Sequence, residues 1–128
     1  MSAPILSFED LECWKAGREL RLFIAKRLLP SLPRDEKYRL GDQIIRAARS
    51  VTANVAEGYG RNHYLDNAKF CRNAMGSCCE VLDHAICAND EAMISEDLLR
   101  EVRSRVDSTR RLINGYISYL KRAASGPD

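Results

Sequence analysis

Glu80 and His84 stand four residues apart, which puts a carboxylate and an imidazole on one face of a helix, where they could share a metal ion. No second pair of that kind exists. The other histidine, His63, follows no Glu, and a di-metal bundle needs a Glu-x-x-His turn on each of two helices. The five cysteines, Cys13, Cys71, Cys78, Cys79 and Cys87, form no Cys-x-x-Cys pair. The adjacent Cys78 and Cys79 point about 100° apart on a helix and cannot chelate together. An odd number of thiols, four of them in one helical stretch, reads as free and mostly buried sulfur in a reducing compartment. Hydroxyl catalysis has no framework either. There is no Gly-x-Ser-x-Gly and no Walker loop, and Gly58-x-Gly60 follows a helix rather than a strand. The residue types predict no metal, no cofactor and no enzyme.

A second set of polar residues keeps helical spacing without a catalytic pattern. Arg46, Ser50, Asn54 and Glu57 step by 4, 4 and 3 beside an apolar stripe, and Gln43 precedes Arg46 by three. Ser77 and Glu80 form a matching step further along the chain. Buried polar groups must be paired or each costs about 1–3 kcal/mol. These residues therefore read as a polar ladder that fixes the register of two helices rich in small side chains. The expected partners are Arg46 with Glu80, and Asn54 with backbone or with Ser77. Gly58 and Gly60 are expected to end the first of these helices through open or left-handed backbone.

The third set is basic. Arg100, Arg103, Asp107, Arg110 and Arg111 share one outward stripe at helical spacing, and Arg49 and Arg61 lie on the second helix and at its exit. The planar fork of arginine matches two phosphate oxygens at once. Residues 63–93 carry two basic against five acidic side chains, whereas 95–123 carry seven against four. That segregation has two readings: a phosphate-binding face, or mutual neutralisation of neighbouring helices. Net charge is only +2 and the pI about 8.3, so any basic patch must come from segregation rather than from the total.

Long helices must position these groups. The 128 residues suit one domain, and with 45% apolar and 30% charged residues the chain can bury a core. No proline falls between 34 and 126, and no alternating β pattern appears. The first helix is expected over about 8–28, capped by Ser7 and stopped by Pro30 and Pro33. The second runs over about 35–59. Its stripe of Gly41, Ile44, Ala48, Val51, Val55 and Gly58 is widened by Ile45, Ala47, Ala53 and Ala56, more than one neighbour requires. The third covers about 64–89, with Ala68, Cys71, Met75, Cys78, Leu82 and Ala85 in step, and Phe70, Ala74, Val81 and Ile86 as a second edge. The fourth covers about 95–123, and its heptad of Leu99, Val102, Val106, Thr109, Ile113, Tyr116 and Leu120 implies near-parallel packing. The expected fold is an all-α, antiparallel up-down-up-down four-helix bundle. The N-terminal stretch has no secretory pattern and no segment is long enough to cross a membrane, so the chain reads as cytoplasmic.

The run from Gln43 to Val51, followed by Ala53-Asn54-Val55-Ala56-Glu57-Gly58, resembles the motif of the bacterial four-helix-bundle proteins encoded by intervening sequences in 23S ribosomal RNA genes. Phe8, Leu11 and Trp14 look like that family's opening motif, and Phe70, Ala74, Gly76, Ser77 and Glu80 resemble its third-helix motif. The departures are Cys71, Cys78, Cys79 and Cys87 and the basic density of the last helix. For most members of that family the biochemical role is unknown. The resemblance extends to the accessory variability proteins of diversity-generating retroelements. It implies a homopentameric ring without catalysis, with RNA or DNA and a reverse transcriptase as partners. The alternative reading is a protein-interaction scaffold that binds no nucleic acid.

Overall fold

The computed structural model describes residues 4–126, which form four long helices. Helix α1 spans Glu12–Phe23, α2 Leu40–Tyr59, α3 Tyr64–Asp90 and α4 Glu96–Ala124. Helix α1 packs against α2 and α4, and α3 packs against the same two, which closes a square. All four contacts are antiparallel, because residue numbers rise on one helix as they fall on its neighbour. Gly17 of α1 faces Val51 and Thr52 of α2, whereas Gly41, near the start of α2, faces Leu29 beyond the end of α1. Ser50 meets Ser77 while Gly58 meets Asn67. Tyr116 of α4 bonds Asn67, and Arg105 covers Phe23 of α1.

The ends of the elements depart from the expected bounds for local reasons. Ser7 does cap a turn, accepting from the Glu9 amide at 3.1 Å while the Asp10 carboxylate accepts from the Ser7 amide. That turn is a separate 3-10 segment, Phe8–Asp10, cut off from α1 by the extended backbone of Leu11, whose side chain goes into the core. Beyond Phe23 the chain continues as a π turn, Ile24–Leu28. The extra residue per turn keeps Leu20, Ile24 and Leu28 all on the buried face and leaves Arg27 outside over the Phe23 ring. Helix α2 begins at Leu40, not near 35. Residues Arg34–Tyr38 form a 3-10 turn that folds over Gly41, where an added Cβ would stand 3.3 Å from the Glu36 carbonyl oxygen.

Two expectations about packing faces are corrected. On α3 the deepest residues include Ala74, Val81 and Ala88, whereas Met75 and Leu82 are only half-buried. The helix is held between α2 and α4, so its buried face is centred between the two stripes read from spacing. On α2, Ile45 and Ala47 are already buried inside the subunit, and Ala53 is left exposed. The broad apolar face of α2 therefore serves its two neighbours within the bundle.

Three of the five thiols, those of Cys13, Cys71 and Cys78, lie in the core. Burial pushes Cys13 up to about 11 and Cys71 and Cys78 to about 12. Cys79 is exposed, and the half-buried Cys87 donates to the Glu91 carboxylate at 3.1 Å. That hydrogen bond, more than burial, raises the Cys87 thiol above its ordinary range.

Candidate nucleic-acid interface

Helix α4 turns its heptad inward, and Leu99, Val102, Val106, Thr109, Ile113 and Leu120 are all buried. By the same 3.6 period Arg103, Arg110 and Arg111 lie off the buried stripe, and Arg110 and Arg111 emerge on the flank facing α3. There Arg110, Arg111, Asp107 and Asn114 line a groove of about 400 Å³ whose α3 wall is Met75. Arg110 is half-buried, and its Nε has no hydrogen-bond partner among the described residues.

Of the two readings of the charge segregation, neutralisation of α4 by the acidic α3 has no ion pair between the two helices among the described residues. Every ion pair among the described residues joins groups three or four positions apart in the chain. Arg100 is held by Asp97 and Arg105 by Glu101, both on α4 itself. Arg103, Arg110 and Arg111 form no ion pair among the described residues. The other two arginines singled out in the sequence do not join this flank. Arg49 is exposed on α2, which stands diagonally across the bundle from α4. Arg61 lies at the end of the bundle, paired with Glu57 at 3.0 Å and laid over the Phe70 ring with 4.7 Å to its centroid.

The polar ladder exists in part. Ser50 and Ser77 hydroxyls meet at 2.9 Å across α2 and α3, and the Asn54 amide donates to the Ser50 carbonyl at 2.9 Å and to the Ser50 hydroxyl at 3.0 Å. Ser77 also donates to the Asn73 carbonyl. The Arg46–Glu80 pair is absent among the described residues. Both side chains point to solvent, because the α2–α3 seam is centred on Ser50 and Ser77, and Glu80 instead meets His84 at 3.4 Å. Gln43 is exposed and takes no part in the seam. No third metal-binding side chain joins Glu80 and His84 among the described residues. Ser77→Val is accordingly expected to cost about 1–2 kcal/mol in urea unfolding. Arg46→Ala and Glu80→Ala should each change stability by less than about 0.5 kcal/mol.

Gly58 does not end α2. Both Gly58 and Gly60 keep negative φ, and Gly58 lies buried within the last turn. A Cβ there would stand 2.5 Å from Asn67 Oδ1 and 2.9 Å from the Asn67 carbonyl oxygen. Its missing side chain lets α2 and α3 touch.

That close approach builds a cleft which spacing along the chain did not reveal. Tyr59 and Tyr64 flank the α2–α3 turn, and the antiparallel topology brings Tyr116 and Tyr119 of α4 beside them. The signal was present in the sequence: four of the five tyrosines sit at element ends that an up-down bundle gathers at one pole.

Four helices packed in a square define the class of the protein, an all-α four-helix bundle. The family model for the 23S rRNA-intervening sequence protein matches residues 9–115, and the chain belongs to that family. No curated protein matches the chain. No helix among the described residues is long and apolar enough to cross a membrane.

Proposed function

We propose that this chain is a non-enzymatic accessory protein that assembles with copies of itself and binds RNA or DNA through the arginine flank of α4. The observation that carries the reading is that Arg110 and Arg111 line one groove beside Asp107, with the exposed Arg103 two turns before Arg110 on the same helix, and that none of the three is in an ion pair among the described residues. Unpaired guanidinium groups on one flank attract phosphate and release its counterions. A reverse transcriptase bound to the same nucleic acid is the further partner the family resemblance supports.

Self-assembly has its own support. Gly76 and Gly115 lie in the middle of α3 and α4, and a Cβ added at either would meet nothing within 4 Å. Glycine in a helix interior costs roughly 0.5–1 kcal/mol relative to alanine. Nothing inside the subunit uses the space, whereas a helix of another copy could approach closely there. Leu112, 43% exposed on α4, adds apolar surface to such a contact. A ring of five would repeat the arginine flank around its circumference.

Anisotropy titrations with RNA and DNA test the reading. Binding should weaken steeply with salt. Replacing Arg103, Arg110 and Arg111 together with Gln should lower affinity for all sequences alike, with the logarithmic salt slope falling by roughly one per lost contact. Absence of binding by the native protein at low salt would overturn the nucleic-acid role and leave the interaction scaffold. A monomer at micromolar concentration in sedimentation would overturn the assembly.

A further inference from the structure

At the pole where α2 turns into α3 and α4 nears its end, a cleft of about 540 Å³ opens. That volume suits a ligand of nucleotide size. Its aromatic wall is ordered: the Tyr116 and Tyr119 rings lie within 10° of parallel, with centroids 6.2 Å apart. Tyr119 is 52% exposed and Tyr64 50%, so large aromatic faces remain open to an incoming ring. Base-on-tyrosine stacking tolerates any base, because every base has a π face.

The polar groups of the cleft complement the same ligand. Asn67, only 6% exposed, donates through Nδ2 to the Tyr116 hydroxyl at 3.0 Å. The Tyr116 hydroxyl proton goes to no acceptor among the described residues, so a donor stands open at the floor. Burial raises Tyr116 to about 12, which keeps that proton in place at neutral pH. Arg61 and His63 line the mouth, and no Asp or Glu among the described residues lines the cleft. Glu57 reaches Arg61 from outside and steadies it across Phe70. The arrangement therefore suits a flat π system with an attached anion.

We infer that this cleft binds one nucleotide, with its base stacked on Tyr119 and its phosphate beside Arg61 and His63. The site is at the bundle pole and shares no residue with the α4 groove, so it stands or falls separately from the arginine flank. The nucleotide could be free or one unit of a single strand, and the two sources separate by experiment.

Titration calorimetry at low salt with adenosine 5′-monophosphate, a single-stranded pentanucleotide and inorganic phosphate provides the test. A nucleotide site binds the monophosphate or the pentanucleotide tighter than phosphate. Because the arginine flank of α4 also attracts a strand, the pentanucleotide is titrated into the protein with Arg103, Arg110 and Arg111 replaced by Gln: its binding there without the monophosphate identifies a strand, and equal binding of both identifies a free nucleotide. Tyr119→Ala should weaken the bound form by about 5- to 150-fold, the equivalent of one lost stack. Tyr119→Phe should retain it, and replacement of Arg103, Arg110 and Arg111 by Gln should leave monophosphate binding unchanged. Tyr119 is half-exposed, so its melting temperature serves as the folding control. The inference is overturned if neither nucleotide probe exceeds phosphate, or if a folded Tyr119→Ala variant binds as the native protein does.

Discussion

Raising the pH from 9 towards 12 is expected to unfold this protein steeply, even in the presence of a reductant. The unfolded thiols ionise near 9, whereas burial holds Cys13 up to about 11 and Cys71 and Cys78 up to about 12. Groups with a folded value above the unfolded one contribute stability that is complete below the unfolded value. That contribution is lost as the pH climbs towards the folded value. Between roughly pH 10 and 11 unfolding then releases up to three protons, and stability falls by up to about 4 kcal/mol per pH unit. A domain of this kind has about 5–15 kcal/mol in reserve, so the transition completes within one or two units. Tyr116, raised to about 12 chiefly by burial, steepens the loss above pH 10. Urea midpoints measured from pH 8 to 11 check this. Cys71→Ala should lower stability throughout but flatten the slope by about a third. Stability that stays level from pH 9 to 11 would mean that the core thiols are not buried as described.

The second large effect is expected at Gly58. Its Cβ position is occupied by Asn67 Oδ1, the Asn67 carbonyl oxygen and Phe70 Cβ, all within 3.0 Å. Two of these belong to the backbone or to the Cβ of the facing helix, so a rotamer change cannot relieve the clash. Gly58→Val must push α2 from α3, at a cost expected to reach about 3 kcal/mol or more. The displacement also acts on Asn67, which holds the Tyr116 hydroxyl, so the tyrosine cleft should open with it. Gly60→Ala is the control. The nearest atom to its added Cβ is the Glu57 carbonyl oxygen at 3.5 Å, an ordinary contact. Thermal unfolding of the two variants checks the contrast, and equal melting temperatures would remove the close helix contact from the account.

Much of this architecture was legible in the chain itself, because helices follow from spacing and end chemistry. Apolar residues at three- and four-residue steps, a proline-free interior and Ser95 before Glu96 and Asp97 define α4 without reference to any neighbour. The same local rules define α3 and the body of α2. Short links then force antiparallel neighbours, and the motif from Gln43 to Gly58 places the chain in its family.

Rotation, register and partner choice were decided by tertiary structure. Spacing places Arg46 and Ser50 on one edge of α2, but only the docking angle of α3 brings Ser50 to Ser77 and sends Arg46 and Glu80 into solvent. Glycine is compatible with both a helix end and a close contact, and only the position of Asn67 shows that Gly58 serves the contact. The π turn at Ile24–Leu28 arises because burying Ile24 and Leu28 together outweighs the ideal hydrogen-bond ladder, a balance that requires the facing core. Tyr59, Tyr64, Tyr116 and Tyr119 are distributed over half the chain and become one cleft only when the helices stand antiparallel. Local patterns determine what a segment is, since their forces act within one or two turns. Which side chains meet depends on contacts across dozens of residues, and those form only once the four helices pack.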